Sequence, residues 1–580
     1  MIHGMPKLFP VEVLNKFNVG EAEGKTDSLL EECLCEIPPI KEFLLGKKDI
    51  ILGERGAGKT ALFRMLSERK LNFFSPPGKT YQILALDESI EYKQLKTIIE
   101  QRIQASGSKD NDSIKYQFIW ELFLTYKILC FVTDELKLDQ DDLAKYKNEI
   151  SAALGFEDKK VGIMQFLLSH KKTIGIKLDQ LHPATSNFYV SAEPIEKLNT
   201  SEDVFKVDLK EIKKKVSSLL DKNHMVLYVL LDRLDEFVIK EDYAIQKRLL
   251  EGLMACYRNF SSSTQIRIKP FFRTDIFNRL DISGLGTDKI LSKTVHLKWE
   301  PNDLRELIAR RLFYNFTENL DIANLEFETD EGRLHLDPKY VEDEKIRTKN
   351  DKRNFITRWG SKKWKKLVSD FIIQLQMIDR RERKTNFSDA ITTDIIHQIF
   401  PKSCEHTTSN GKKEYIKFID FIDSHLSFAT DFSTPRVVID FFEECLYETR
   451  SYYAKNKDIV SVPKNFENEY ELVKVECITR AYIKIKQKLW GSISRDSIEW
   501  ENKITDFKVN LTSKLKLNYQ DIASNTNWDS EKEAAQFIAF LMHAGILKCI
   551  NREKTHIERV YELPLMFREP KQSKLSTQPA

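Results

Sequence analysis

The sequence predicts an α/β fold: a three-layer sandwich built on a parallel sheet, enlarged by helical additions. Three observations predict it. A glycine-rich turn, "GERGAGKT" (Gly53–Thr60), lies between a short apolar run and an amphipathic segment. An apolar stretch, "MVLYVLL" (Met225–Leu231), runs directly into acidic residues. Further apolar stretches, "YQILALD" (81–87), "IRIKPFFRTDIF" (266–277) and "KTVHLKW" (293–299), alternate with segments of helical periodicity. Strands that are apolar on both faces and separated by helices belong to a parallel sheet covered on both sides.

The first element is a strand over "KDIILG". The helix after the turn, "TALFRMLSERK", places Leu62, Met65 and Leu66 on one side. The turn itself fits G-x-x-x-x-G-K-[ST], the phosphate-binding loop. Glycine loses more conformational freedom on folding than any other residue, so three of them need a reason. Here the reason is an anion nest, in which successive backbone N–H groups turn inward and the following helix adds the positive end of its dipole. Gly53, Glu54, Arg55, Gly56, Ala57, Gly58, Lys59, Thr60 and Ala61 are the candidate nucleotide-binding residues. Lys59 is expected to reach the β- and γ-phosphates, and the Thr60 hydroxyl to bind Mg²⁺. The fold class is therefore a P-loop NTPase core.

The next element is the Met225–Leu231 strand, with Asp232, Asp235 and Glu236 at its carboxyl end. Ligands of open α/β sheets bind outside the carboxyl ends of the strands. Asp232 is the expected Mg²⁺-side carboxylate, and Asp235 or Glu236 is expected to polarise the attacking water, Glu236 being the preferred choice. Arg273, Thr274 and Asp275 end the fourth strand at the same edge, where a polar side chain can sense the γ-phosphate. A capped strand-to-helix turn accounts for these three residues equally well.

Between these motifs, "SIKYQFIWELFLTYKILCFVTDEL" (113–136), "DDLAKYKNEISAAL" (141–154) and "GIMQFLLSHKKT" (162–173) carry helical periodicity and predict a helical insertion. Residues 325–420 form an irregular zone. Within it "KIRTKNDKRNFITRWGSKKWKKL" (345–367) interleaves Trp359 and Trp364 with many cations, and "RRERK" (380–384) adds more. This composition suits a phosphate backbone with stacked bases, although such a run is more often a solvated helix face with inward tryptophans. Cys404 and His406 lie close together, but a zinc site lacks two further ligands nearby.

From about Asn468 the pattern changes. Helices are expected over 470–490 and 530–550, the second closed by Gly545, followed by two strands around a polar turn within 546–567. This outline is that of a winged helix. Its helix carries Lys532 between Glu531 and Glu533, and its wing carries Arg552, Lys554 and Arg559. DNA contact and protein contact both remain open for it. The predicted organisation is a lead-in over 1–45, a core over 46–300 with the insertion at 100–224, a helical lid with a basic insertion over 301–465, the winged-helix-like module over 466–567 and a disordered tail over 568–580.

Composition sets limits on these readings. In 580 residues, 41% are hydrophobic and 31% charged, so the chain can bury real cores. A net charge of +3 gives no global field toward nucleic acid, and any such contact must rest on local patches. None of the eight cysteines forms a CxxC pair, which points to buried thiols in a reducing compartment. The first residues lack a signal-peptide pattern, and no apolar run approaches the ~20 residues of a membrane helix. A cytoplasmic location is expected.

"GERGAGKT", "LLDRLDEF" and "FFRTDIF", in this order, resemble bacterial P-loop ATPases of the AAA+/STAND group, which includes origin-recognition-like and KAP-like members. "FNVGEAEGKTDSLLEECL" (17–34) is similar to a stretch that precedes the loop in some of them. "WEPNDLRELIARRL" (299–312) resembles the start of their helical lid. "STPRVVIDFFEECL" (433–446) resembles the lid motif whose arginine approaches the nucleotide, which makes Arg436 the sensor-2 candidate. The resemblance implies adenine as the base, hence ATP with Mg²⁺, a homo-oligomer or an effector protein as partner, and DNA or RNA as a possible one. It also implies a regulatory ATPase of the kind found beside phage-defence genes; a DNA-binding initiator or remodeller and a nucleotide-held scaffold of low turnover are the alternatives. In many AAA+ members a glutamate directly follows the strand-end aspartate, whereas Arg233 stands there in this chain. An arginine supplied to a neighbouring subunit is expected among Arg279, Arg310 and Arg311.

Overall fold

The computed structural model describes residues 11–74, 77–87, 113–138, 141–154, 209–234, 243–318, 326–329, 332–335, 387, 389–407, 413–429, 433–456, 472–496, 500–509, 516–524 and 530–568. The chain divides into two compact units. The sheet unit takes residues 38–55 and 59–297, and the terminal unit takes 1–37, 56–58 and 298–580.

In the sheet unit, helix α1 (Pro38–Leu44) leads into β1 (Ile50–Gly53), and α2 (Lys59–Ser67) leads into β2 (Thr80–Leu86). The insertion contributes α3 (Ser113–Cys130), α4 (Asp141–Leu154) and α5 (Leu209–Lys222) before β3 (Met225–Leu231). Then come α6 (Tyr243–Phe260), β4 (Ile266–Arg273) and β5 (Thr294–His296). The five strands form one parallel sheet in the order β2-β3-β4-β1-β5. Every residue of β3 after Met225 is buried, as its unbroken apolar run requires.

The sheet has a core on each face. Leu227, Val229 and Leu231 face the cluster built with α3, α5 and α6. Between them, Tyr228 points to the other face and stacks on Phe73 at 4.2 Å, while Phe271 packs edge-on against Phe43 and Phe63. The period of two along each strand thus sends alternate side chains to the two faces. On the face of Leu227, α3 and α6 cross closely at Gly252, where a Cβ would come within 2.7 Å of the Gln117 nitrogen and of the Tyr116 Cβ. The Trp120 indole donates to the Leu249 carbonyl at 3.0 Å in the same crossing.

Several predicted bounds shift. Strand β4 stops at Arg273, and Thr274–Phe277 is a helical turn. Pro270 is tolerated inside β4 because it stands where the register passes from β3 (266–270) to β1 (271–273). Strand β5 covers only Thr294–His296, although Leu297 N still donates to Leu52 O at 2.6 Å. Helix α3 ends at Cys130, and Phe131–Glu135 continues as a π-helical turn. The stretches 162–173, 345–367 and 380–384 lie outside the described residues.

One buried charge stands out in the sheet. Lys269 of β4 is fully buried. Its Nζ donates to Lys48 O at 2.6 Å and to Asp49 Oδ1 at 3.1 Å, within 4.5–5.3 Å of the Phe43, Phe73 and Tyr228 rings. Burial lowers its pKa to about 8; Asp49 opposes the fall, and Arg267 and Lys293 add to it. Between about pH 8 and 10.5 the unfolded chain therefore holds a proton that the folded chain has released, so this group's contribution to stability rises with pH across that window. Lys269→Met removes the titration. The stability of K269M relative to wild type, from urea unfolding at pH 7.5 and pH 10, is expected to fall by about 2–3 kcal/mol between the two. An unchanged difference rejects this account of Lys269.

In the terminal unit, the lead-in residues from Val11 onward are anchored to α7 (Pro301–Glu318) and to α10 (Pro435–Lys455). Asn315 exchanges hydrogen bonds with Asn18 at 2.6 and 2.9 Å. Arg450 donates to Leu14 O at 2.8 Å and also to Phe17 O. Arg311, almost fully buried, pairs with Asp27 through Nη2–Oδ2 at 2.5 Å and donates to Val19 O at 2.6 Å. Asp27 Oδ1 also accepts the backbone N–H groups of Glu21 and Leu29.

The same unit holds the hairpins β6–β7 (Glu326–Thr329, Gly332–His335) and β8–β9 (Ser403–Thr407, Lys413–Lys417), with α8 (Asp389–His397) before the second and α9 (Phe418–His425) after it. Cys404 lies in β8; its thiol is buried and pushed up to about 12. Pro435 occupies the first turn of α10, where its missing N–H costs nothing. Next, α11 (Val475–Asp496) packs along α10.

The chain ends with α12 (Glu501–Val509), β10 (Lys516–Asn518), α13 (Tyr519–Ser524), α14 (Glu531–His543), β11 (Lys548–Cys549) and β12 (Val560–Glu562). The strands form an antiparallel sheet in the order β10-β12-β11. Ser530 caps α14 by accepting from Glu533 N, and Gly545 turns the chain at φ +73° after it. Among the described residues no helix is long and apolar enough to cross a membrane.

Candidate functional site

Strand β1 delivers the chain to its carboxyl end at Gly53, and α2 begins at Lys59. Between them Gly56 and Gly58 have φ of +79° and +94°, in the region that side-chain-bearing residues avoid. This alternation turns consecutive amides to one side of the loop. Lys59 Nζ folds back over the loop's start, donating to Gly53 O at 2.8 Å and to Glu54 O at 3.0 Å. Thr60 and Ala61 lie in the first turn of α2, where the helix dipole favours an anion.

The register brings the other predicted residues of the sheet unit to the same edge. Gly53 pairs with Arg273, and Leu231 pairs with Pro270, so β4 lies between β1 and β3 with all three running in one direction. Asp232 directly follows β3. It is 3% exposed, and its N–H donates to Leu86 O at 3.2 Å. Arg233 follows with φ +57°, a left-handed conformation rare for such a residue. Asp235 and Glu236, the two candidates for activating water, lie outside the described residues.

Arg273, Thr274 and Asp275 form a turn of their own beside the loop. The Arg273 guanidinium grips Asp275 with two hydrogen bonds, at 3.1 and 2.9 Å. Desolvation pushes the Asp275 carboxyl up, but Arg273 and Arg279 hold it below the usual carboxylate range. Glu54 reaches solvent, yet crowding around its carboxylate raises its pKa. Asp275 adds to the rise; Lys59, a hydrogen bond with Thr274, and Arg273 oppose it. Thr274 is thus tied to the loop's second residue and Arg273 to its own neighbour.

In the terminal unit the loop's tip, Gly56–Gly58, meets two residues. Arg436, the second residue of α10, donates its backbone N–H to Gly56 O at 3.3 Å. A Cβ on Gly56 would lie 2.7 Å from the Arg436 Cβ, so only glycine fits there. The Trp299 indole donates to Ala57 O at 2.8 Å. The sequence reading names Arg436 but misses Trp299, since a tryptophan two residues before a helix carries no phosphate-site signal.

Of the three arginines expected to serve a neighbouring subunit, Arg279 is exposed. Arg310 is paired with Glu306 at 2.6 Å on its own helix. Arg311 is enclosed with Asp27, so the expectation that it reaches another chain is corrected: its charge is consumed inside the terminal unit.

The residues present fit a nucleoside triphosphate with Mg²⁺. The positive-φ glycines leave backbone amides free of side-chain cover, and Lys59 and the α2 dipole supply positive charge. The Thr60 hydroxyl and the Asp232 carboxylate are hard oxygen donors of the kind Mg²⁺ takes, few in number because phosphates and water complete its shell. Among the described residues no group of three or more His, Cys, Asp or Glu could hold a metal alone.

No family model and no curated protein matches this chain. Among solved structures it is similar to that of the Aeropyrum pernix Orc1 protein in complex with DNA, at 10% sequence identity and a TM-score of 0.30, over 97% of this chain and 94% of that one. A likeness so distant assigns neither family nor activity.

Proposed function

We propose that the chain is a Mg²⁺-dependent ATPase of the AAA+/STAND kind that acts as a nucleotide switch on a partner protein. The observation that carries this is the alignment at one sheet edge of a Gly-Lys-Thr loop after β1, a buried Asp232 after β3 and a polar turn after β4, with β4 between the other two. Such an edge is where open α/β sheets take their ligands.

In this mechanism the loop amides and Lys59 cradle the β- and γ-phosphates. Lys59 exchanges its two carbonyl partners for phosphate oxygens, which are stronger acceptors because they are charged. Thr60 and Asp232 would hold Mg²⁺, which would neutralise charge developing on the phosphates. Glu236 or Asp235 orients the attacking water. Arg273 and Thr274 read the γ-phosphate, and Arg436 contributes from α10. Loss of the γ-phosphate removes the contact that distinguishes the two states, which is how such a switch resets. The output then passes to an effector or to a second copy of the chain, in phage defence if the resemblance extends so far.

A second reading, DNA binding, is favoured by one observation. Arg552 and Lys554 are exposed on the turn between β11 and β12, as a wing that grips a phosphate backbone requires. One experiment separates the readings: phosphate release by the full chain with ATP and Mg²⁺, with and without duplex DNA, alongside DNA affinity across a salt series. Release indifferent to DNA supports the protein-directed switch. Stimulated release with an affinity that falls steeply with salt supports the DNA reading. Tight triphosphate binding without release points to a nucleotide-held scaffold, and no uptake of triphosphate ends all three.

A further inference from the structure

Helix α10 begins at an N-cap that does not cap. Thr434 has extended backbone angles, φ −123° and ψ 151°, as an N-cap residue should, yet its side chain makes no capping hydrogen bond. A threonine in this place ordinarily turns its hydroxyl onto the amide two or three residues on. Here the hydroxyl points elsewhere. Its Oγ1 lies 3.2 Å from where a Cβ on Gly56 would stand, against the tip of the glycine-rich loop.

Thr434 is 6% exposed and Ser433 is 8% exposed. Both hydroxyl oxygens are enclosed and have no hydrogen-bond partner among the described residues. A buried hydroxyl left unsatisfied is destabilising, so two adjacent ones beside a loop of this kind call for a partner. The first-turn donors do not answer for it. Pro435 has no N–H, Arg436 N donates to Gly56 O, and Val438 N donates to Thr434 O. The positive end of a 21-residue helix completes the setting.

We infer that the Thr434 hydroxyl is a positioning contact for the phosphates of a nucleotide held on Gly56–Gly58. It donates to a phosphate oxygen and so ties the start of α10 to the bound anion. This rests on the reading of the loop as a triphosphate site and adds a residue to it. The hydroxyl, unlike the charge of Arg436, is short and fixed by burial. Its contact depends on where the phosphate sits, not on charge at a distance.

The test is equilibrium binding of a fluorescent, non-hydrolysable ATP analogue with Mg²⁺ to the full chain, together with thermal unfolding in the absence of nucleotide. Thr434→Val keeps the shape and removes the donor. It is expected to weaken binding about tenfold, the size of one hydrogen bond to a charged acceptor, while leaving the nucleotide-free midpoint unchanged or higher. Thr434→Ser, which keeps the donor, is expected to bind as wild type. A purely structural threonine gives the opposite pattern, in which valine shifts the midpoint and leaves affinity alone. If wild type binds the analogue and Thr434→Val binds it equally well, this inference falls and the loop reading stands. If wild type takes up no analogue, both fall.

Discussion

Asp27→Ala is expected to destabilise the protein by about 3–5 kcal/mol, because it leaves the Arg311 guanidinium enclosed without its carboxylate. Each partner is 2% exposed at its side chain, so water cannot replace what is lost. The substitution also removes the acceptor of the Glu21 and Leu29 amides, which pins the lead-in around the guanidinium. Arg311→Met alone should cost less, since the carboxylate it leaves enclosed still accepts the Glu21 and Leu29 amides. The double variant Asp27→Ala/Arg311→Met is expected to recover part of the loss, as replacement of both members of a buried pair often does. Urea unfolding of the four proteins measures the cycle. A cost for Asp27→Ala under 1 kcal/mol would show that the pair is solvated and the enclosure overstated. Gly20 belongs to the same knot, for a Cβ there would come within 1.9 Å of Arg311 Nη1 at a φ of +84°.

Lys59→Ala is expected to lower ATP turnover on the order of a hundredfold or more, with folding unchanged. The side chain is a half-exposed ammonium that donates to two carbonyl oxygens of its own loop, so its removal opens no cavity in the core. Asp232→Asn should act differently, leaving triphosphate binding in place and abolishing its dependence on Mg²⁺. Phosphate release and nucleotide affinity with and without Mg²⁺ check both. Turnover by Lys59→Ala equal to wild type would exclude this loop as the site of chemistry. Asp232→Asn that keeps its Mg²⁺ response would move the metal elsewhere.

The sheet was legible because its signals are local and redundant. An apolar run with both faces buried, as in Met225–Leu231, and a glycine pattern between strand and helix each occupy a short window and point to one structure. Strand order was not legible: nothing in "IRIKPFFR" states that it inserts between β1 and β3, since register is settled by packing on both faces. The candidate residues on strand ends followed from the motifs. Trp299 and Thr434 did not, because each acts on the loop tip from a part of the chain over two hundred residues away. Their positions depend on tertiary packing and leave no periodic trace. Of the three arginines left open, Arg311 could not be set apart in the sequence, because the Asp27 that encloses it lies 284 residues away. Lys269 carries no signal of its burial either: it is one of three cations in β4, and its aromatic cage comes from three separate parts of the chain.

The knot between Asp27 and Arg311 sets an order on folding during synthesis. The lead-in leaves the ribosome before the sheet unit, but its carboxylate waits for a cation translated 284 residues later. Arg450, which holds Leu14 O, arrives later still, 436 residues after its partner. The sheet unit is translated whole in the interval, so it can collapse first while the opening segment stays unpaired. Closing such long loops is slow, and the waiting segment carries apolar side chains, Val13, Leu14 and Phe17, that are buried in the finished protein. Chains cut short before Arg311 are therefore the ones that a chaperone, or an aggregate, will find with a sticky end.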